Sequence, residues 1–360
     1  MKKKKKNTML ILGGSIRNKA DQKIVVDNIS EIKHDPLLYN YIEHVSREGY
    51  ISNSEGGAIA AAYGMRDWAT DIRYERLNRY MLPNGKFRNI KKLLELVKGA
   101  NGIIISSPVY FGDRSSYIDD FFRILEKNNI TIKNQSLGSV SVGAKRNGGQ
   151  ETTNIYALAE AIERGFLVTG NGPPTSQYGG TMVGGNMGTI DNDYFGMMTA
   201  SGTGKNVALG GRFLQCRHDK NKKINIAFWI LQDEGEKLKK IIEEIIAEID
   251  YPSVDFSILN LTEHYFSRCL ACNACPHYRD RKGNEYKCKI DNDDMPGIYQ
   301  TLLEPDGVFL AVNDSRELRK LKSVYQLFIE RTRFIRRDNF RLSFRPFTGF
   351  IFNQSGKSSS

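Results

Sequence analysis

Met9-Leu10-Ile11-Leu12-Gly13-Gly14-Ser15-Ile16-Arg17 runs from four apolar residues into a glycine turn that carries a hydroxyl and a guanidinium. A short apolar run ended by glycines reads as a strand buried on both faces, as in a parallel sheet. Glycines at the end of such a strand let backbone N–H groups approach a phosphate, and Ser15 and Arg17 add a hydrogen bond and a charge. The plain alternative is a β-turn with no ligand. A small polar residue opening a helix should come next. Instead Ser52-Asn53-Ser54-Glu55 precedes the alanine-rich helical stretch Gly57–Trp68, with Ser52 or Ser54 placed to cap it. Residues 18–50 therefore read as an insertion that splits one phosphate loop.

Outward from this stretch, strands and amphipathic helices alternate. Asp71–Leu77 is a strand, and Asn89–Lys98 a helix with Ile90, Leu93, Leu94 and Val97 on one face. Gly102–Ile105 is a second buried strand and Ser116–Leu125 a helix. Ser139–Val142 is a strand, Tyr156–Ile162 lies in a helix, and Phe166–Val168 is the last strand. Repeated β-α units specify an α/β fold, a doubly wound parallel five-stranded sheet of order 2-1-3-4-5. Its ligand site lies beyond the carboxyl ends of the strands. This first domain covers residues 8–216. Within it, residues 170–211 hold 12 of the 33 glycines. So long an irregular stretch in a compact domain is functional or mobile, and residues 170–204 read as a lid or oligomer arm.

After a polar linker, residues 217–223, a weaker cycle begins: strand Ile224–Ile230, helix Glu234–Ile249, strand Val254–Leu261, helix Met295–Leu303, strand Gly307–Val312, helix Leu318–Ile335 and a fourth strand within Phe344–Phe352. Residues 224–353 thus form a second, incomplete unit, and residues 1–7 and 354–360 are expected to be disordered tails.

The formal charge of +11 (52 Lys and Arg, 41 Asp and Glu) is unevenly placed. Lys2 to Lys6 carry five positive charges, and ten bases face four acids between Asp314 and Arg345. Residues 7–313 hold 36 bases against 37 acids. A neutral body argues against a nucleic-acid surface, which needs a basic stripe across the fold. No apolar run reaches the ~18–20 residues that span a bilayer. Lys2–Lys6 with Met9–Leu12 mimics the start of a signal peptide, but the apolar stretch stops at Gly13, short of the ~7–15 residues required. A cytoplasmic protein, bound to neither membrane nor nucleic acid, is expected.

Two further loops sit at strand ends. Ser106-Ser107-Pro108-Val109-Tyr110-Phe111-Gly112 offers flat side chains and backbone amides, suited to stacking a planar heterocycle; otherwise it is an aromatic turn packed on its own helix. Gly143-Ala144-Lys145-Arg146-Asn147-Gly148-Gly149-Gln150 opens the helix after the fourth strand. These loops, with Asp193-Tyr194-Phe195-Gly196 and Gly202-Thr203-Gly204-Lys205, resemble the NADPH-dependent FMN reductase and iron–sulfur flavoprotein group of flavodoxin-like proteins over roughly residues 8–215. The resemblance implies that Ser15, Arg17, Ser52, Asn53 and Ser54 hold an FMN phosphate. It implies that Pro108, Val109, Tyr110, Phe111 and Gly112 flank the isoalloxazine, and that Gly143, Gly148, Gly149 and Gln150 approach its pyrimidine edge. Tyr110 and Lys145 are the nearest candidates to tune the ring. The chain departs from the pattern in its insertion and in Asp113, which stands where a small neutral residue is usual.

Cys269-x2-Cys272-x2-Cys275-Pro276, followed by Cys288 and Asp293-Asp294-Met295, can wrap thiolates around one cluster. It resembles the iron–sulfur flavoprotein cysteine loop, though the 12 residues between Cys275 and Cys288 exceed the compact family spacing. A [4Fe–4S] cluster, a zinc site and free redox thiols are the three readings. His277 is more a surface histidine than a ligand, and Cys216 reads as a semi-buried structural thiol. The second unit replaces a phosphate turn with Leu231-Gln232-Asp233-Glu234-Gly235-Glu236, whose carboxylates would repel an anion. It therefore reads as a degenerate flavodoxin-like domain without its own FMN. Arg331, Arg333, Arg336 and Arg337 mark a solvated helix end, or a contact to nicotinamide-nucleotide phosphates or an acidic redox partner.

The resemblance implies an FMN-dependent oxidoreductase, homo-oligomeric, reduced by NAD(P)H or a ferredoxin-like carrier and passing electrons to a small-molecule or protein acceptor. The rival is a non-catalytic electron-carrier or assembly subunit docking an acidic partner.

Overall fold

A computed structural model describes residues 6–172, 175–185, 190, 193–216, 222–233, 235–272, 288–313, 318–332 and 347–352. The chain divides into two units, residues 1–216 and 217–360. In the first, β1 (Thr8–Gly13) is buried throughout. Met9 and Ile11 enter one hydrophobic cluster, Leu10 and Leu12 another, the two-residue alternation of a strand covered on both faces. Then follow α1 (Gln22–Val25), α2 (Asp35–Arg47), α3 (Asn53–Met65), β2 (Asp71–Arg76), α4 (Ile90–Gly99), β3 (Gly102–Pro108), α5 (Ser116–Lys127), β4 (Ser136–Gly143), α6 (Gln150–Glu163), β5 (Leu167–Val168), β6 (Gly180–Val183) and α7 (Tyr194–Gln215). Every strand pair is parallel and the order is β2-β1-β3-β4-β5, the expected doubly wound sheet. Gly13 lies level with Arg76 on one side and Ser106 on the other, so the candidate loops leave the sheet at one edge.

Helices α4, α5 and α6 cover the Leu10 face through Leu93, Val97, Phe121, Phe122 and Ala161. Helices α3 and α7 cover the Met9 face. The insertion is part of that core: Val25, Ile29, Leu38, Ile42 and Val45 join the same cluster.

The glycine-rich stretch differs from its expected irregularity. It contains β6, which continues the β4 edge where β5 stops, and the 22-residue α7. The reason is close packing of backbones. A methyl placed on Gly64 of α3 would lie 1.9 Å from the Ser201 carbonyl oxygen, and one on Gly204 would lie 2.0 Å from that of Ala61. Only glycine lets these two helices touch so closely, and tertiary packing overrides its poor helix propensity.

The second unit comprises β7 (Ile224–Gln232), α8 (Lys237–Glu248), β8 (Val254–Asn260), α9 (Met295–Leu303), β9 (Gly307–Asn313), α10 (Leu318–Arg331) and β10 (Phe347–Phe352). Its parallel sheet, β10-β9-β7-β8, repeats the winding of the first with four strands among the described residues. Trp229 packs with Met295, Leu302 and Phe328 on one face, and Phe228 and Ile230 with Leu238 and Ile242 on the other. Helix α8 starts three residues later than expected, because Gly235 and Glu236 adopt positive φ. Among the described residues no helix is long and apolar enough to cross a membrane.

Candidate functional site

The split loop is rejoined in space. Gly14 leaves β1 and donates its N–H to the Ser106 carbonyl, 2.8 Å. Its Cα leaves no room for a side chain, since a methyl there would lie 2.6 Å from Ile118. Ser15 is buried and accepts from the Arg17 N–H at 3.2 Å, which curls the turn. On the far side of the insertion, Ser52 caps α3 with a full capping box to Glu55. Asn18 ties the two limbs: its Oδ1 accepts from the hydroxyls of Ser52 (2.7 Å) and Ser54 (3.0 Å). Glu55, wholly buried, accepts from the amides of Lys19 and Ala20 (2.9 Å each), from the Ser52 amide (2.7 Å) and from the Tyr74 hydroxyl (2.8 Å). Burial, then the neighbouring Glu55 carboxylate, push the Tyr74 phenol well above its usual range, so Tyr74 remains a donor.

The loop's carbonyls are drawn to one side. Asn78 donates to those of Ile16 (3.0 Å) and Asn18 (2.9 Å), and Arg76 to that of Asn18 at 3.4 Å. What gathers here is polar and poor in charge-bearing acceptors: the Ser15 hydroxyl, the Ser52 and Ser54 hydroxyls whose protons rest on Asn18 Oδ1, the first amides of a 13-residue helix, and the exposed Arg17. Asn18 Nδ2 and Arg76 Nε are buried donors with no acceptor among the described residues. Glu55, the carboxylate bonded into this loop, is sealed beneath it.

The β3 loop forms a two-residue hairpin. Tyr110 and Asp113 exchange backbone hydrogen bonds of 2.8 and 3.0 Å around Phe111 (φ 53°) and Gly112 (φ 81°). Phe111 at the tip is fully exposed and Tyr110 half exposed. Asp113 faces outward, its carboxylate accepting from the Arg114 amide at 2.7 Å and its side chain 53% exposed. That orientation removes the repulsion its sequence position threatens.

The β4 loop meets this hairpin. A methyl on Gly149 would lie 2.6 Å from the Gly112 Cα. Gln150 is buried and spends its amide on the loop itself, accepting from Gly148 N (2.8 Å) and donating to the carbonyls of Lys145 (2.8 Å) and Met182 (3.1 Å). Its side chain shapes the loop and is not a free arm toward a ring edge. Asn53 is similarly engaged, donating to the Gly184 carbonyl. Lys145 points to solvent. Asn18, Glu55, Asn78 and Arg76 escaped the sequence reading; the Ser52-to-Glu55 capping-box spacing is the one local signal that marks Glu55.

A family model described as NADPH-dependent FMN reductase matches residues 70–161, which carry the β3 and β4 loops. An iron–sulfur flavoprotein of Methanosarcina thermophila is 30% identical over 136 residues, covering 37% of this chain and 67% of the relative. The chain belongs to the NADPH-dependent FMN reductase and iron–sulfur flavoprotein family. An iron–sulfur flavoprotein of Methanocaldococcus jannaschii is 41% identical over 123 residues, 33% of this chain and 63% of the relative; the match thus spans under two thirds of that relative's length. Among solved structures, a flavodoxin-type WrbA-like protein of Agrobacterium tumefaciens is 15% identical with a TM-score of 0.36, covering 58% of this chain and 99% of its own. For this family the donor set of the split loop fits the phosphate of FMN, and the aromatic hairpin against the glycine loop fits a flat ring.

Among the described residues the second unit forms no such phosphate cradle where its first strand ends. The amides of Leu238 and Lys239, at the N-terminus of α8, are bound by the Asp233 carboxylate at 2.9 and 3.0 Å. An anion's place is filled from within the chain. Cys269, Cys272 and Cys288 are described and carry free thiols, while Cys275 and His277 lie outside the described residues. Among the described residues no three ligand-type side chains gather around one point. Arg331 departs from its expected place: it is buried, pairs with Asp293, and reaches Cys288 Sγ at 3.8 Å. It therefore cannot meet a nucleotide or partner from solvent; Arg333, Arg336 and Arg337 lie outside the described residues. Cys216 is exposed where a semi-buried thiol was expected, because α7 ends there and its Sγ turns back to the Arg212 carbonyl at 3.4 Å.

Proposed function

We propose that the first unit binds FMN without a covalent link and that the chain is an FMN-dependent oxidoreductase using NAD(P)H or a ferredoxin-like carrier as electron donor. The observation that carries this reading is the reunion of Ser15–Asn18 with Ser52–Glu55, beside the Phe111 hairpin. Bound FMN would accept a hydride and release its electrons singly or in pairs, chemistry no side chain supplies. Ser15 would hydrogen-bond its phosphate, and Ser52 and Ser54 would do so by turning their protons from Asn18 Oδ1, with α3's amides and Arg17 adding positive charge. Tyr110 and Phe111 would shield the ring from water, and the amides of residues 143–149 would orient its polar edge. Family membership and the relatives' names support the reading. A cysteine-held cluster would agree with those names, but the described thiols form no ligand set.

An absorption spectrum of the gently purified chain tests this, read together with a titration of the stripped protein with FMN. Two flavin bands at about one FMN per chain, bleached by NADPH and restored by a dye acceptor, are expected. A chain that stays colourless and takes up no FMN from micromolar solution would refute it. Bound flavin that no nicotinamide nucleotide reduces would favour the carrier reading.

A further inference from the structure

The β4 loop, residues 144–149, is tied down at two points. Gln150 donates to the Lys145 carbonyl at 2.8 Å. Arg146 supplies the other tie: its guanidinium donates to the Thr181 carbonyl at 3.0 Å and to the Asp193 carboxylate, and lies 5.8 Å from the Phe195 ring centroid. A side chain 42% exposed is thus fixed at its tip. The amides of Lys145, Arg146 and Asn147 donate to nothing among the described residues, and Asn147 turns the chain at φ 58°.

Asp193 is buried and bonded to three groups. It caps α7 through the Gly196 amide at 3.0 Å, accepts from the Val183 amide at 2.6 Å, and receives Arg146. A methyl on Gly196 would lie 2.0 Å from this carboxylate, so only glycine admits it so closely. Val183 ends β6, and the next residue joins both halves of the candidate site. The Gly184 amide donates to the Gly143 carbonyl at 2.9 Å, and the Gly184 carbonyl accepts from Asn53, in the second limb of the phosphate cradle. The helix cap needs only the Gly196 bond, and an ion pair open to water contributes little stability. What Arg146 adds is the fixing of a solvent-facing loop whose amides are unspent.

We propose that Asp193 and Arg146 are positioning residues for the flavin ring, which rests on the FMN reading above. Asp193 holds Arg146, and Arg146 holds the amides of residues 145–147 so that they can meet the ring's polar edge together. Donors set in advance stabilise negative charge without reorganising. Reduced flavin carries that charge, so the reduced form gains most from the clasp.

Titration of the stripped full chain with riboflavin and with oxidised and dithionite-reduced FMN tests this. The ratio of the two FMN affinities is also read from the midpoint potential of the bound flavin. Asp193→Asn should weaken oxidised FMN and riboflavin by one common factor, since the phosphate end is untouched, and reduced FMN by about tenfold more. Loss of a negative charge by itself would favour the reduced form, so the sign of the change separates positioning from field. Arg146→Met leaves the α7 cap intact and should show the same loss even if Asp193→Asn fails to fold, which circular dichroism checks. Arg146→Lys keeps the charge but cannot reach both acceptors, and should fall between the native chain and Arg146→Met; a field effect alone would leave it native. Folded variants with the native ratio of reduced to oxidised affinity, or an Asp193→Asn ratio shifted toward the reduced form, would overturn the positioning role and leave FMN binding standing. A native chain that takes up no FMN would remove both.

Discussion

Glu55 holds four donors on two oxygens with no exposure to water, so its charge is matched almost wholly by the chain's own dipoles. Glutamine at this position keeps the shape but brings one oxygen and an NH2 that faces amides already donating. Glu55→Gln should therefore cost about 2–4 kcal/mol of stability, the range for a broken buried charge network. It should also weaken FMN binding by loosening both limbs of the loop. Urea unfolding and an FMN titration measure the two effects, and unchanged values in both would remove Glu55 from this role. Asp293 makes a parallel case in the second unit. Its burial raises the carboxyl's pKa, but the Ser267 amide at 2.9 Å and the Arg331 guanidinium outweigh that and leave it depressed. A depressed carboxyl stabilises the fold above its unfolded pKa and loses that contribution as pH falls through the folded value. Stability of the second unit should thus fall below pH 3.8, the ordinary aspartate value, toward the lower folded one. Asp293→Asn should flatten that acid-side loss while costing about 3–5 kcal/mol at neutral pH, because Arg331 is left buried without its anion. Thermal melts of both chains from pH 7 down to pH 3 would show it, and parallel melting curves would count against it.

At the scale of elements, glycine does opposite things in two helices. Gly64→Ala forces a methyl to within 1.9 Å of the Ser201 carbonyl, so α3 and α7 must part, at about 3 kcal/mol or more. Gly99, at the end of α4, has nothing within 4 Å of its added methyl, and Gly99→Ala should gain up to about 0.5 kcal/mol. Denaturant midpoints of the two variants should move in opposite directions; equal shifts would show that the α3–α7 contact is not tight. The same contrast explains what was legible in the sequence. The strands of the first sheet could be read because a buried parallel strand is a local signal, four apolar residues and a turn. The three loops followed, since each begins where such a strand stops. Ser52 could be read as a cap from its own neighbourhood. Helix α7 could not: its glycines look like breakers until a second backbone is placed against them. Asn18 and Asn78 were equally hidden, because their partners lie 34 to 63 positions away. The partners of Gln150 were hidden for a related reason, since nothing local shows that Met182 will take its amide.

For the whole molecule, the two units share a winding but differ at the position where a phosphate would sit. In the first, the helix N-terminus after β1 is left to hydroxyls and amides, and its carboxylate is sealed below. In the second, Asp233 binds those amides itself, and Gly235 and Glu236 turn the backbone away from a cradle. An incoming dianion would have to displace a tethered carboxylate and then lie beside Glu236. The expectation is that residues 1–216, produced alone, keep FMN at about the affinity of the full chain, whereas residues 217–360 take up none. Removing the acid should not by itself create a site. Asp233→Ser frees the α8 amides but supplies neither a second serine pair nor an arginine, so its flavin uptake should remain undetectable while α8 loses about 1 kcal/mol of cap stabilisation. Fluorescence quenching of FMN by each fragment measures this directly. Stoichiometric flavin in the second fragment, or in its Asp233→Ser form, would mean that the phosphate is held by something other than a helix N-terminus, and would overturn the placing of FMN at Ser15–Asn18 and Ser52–Glu55 in the first unit.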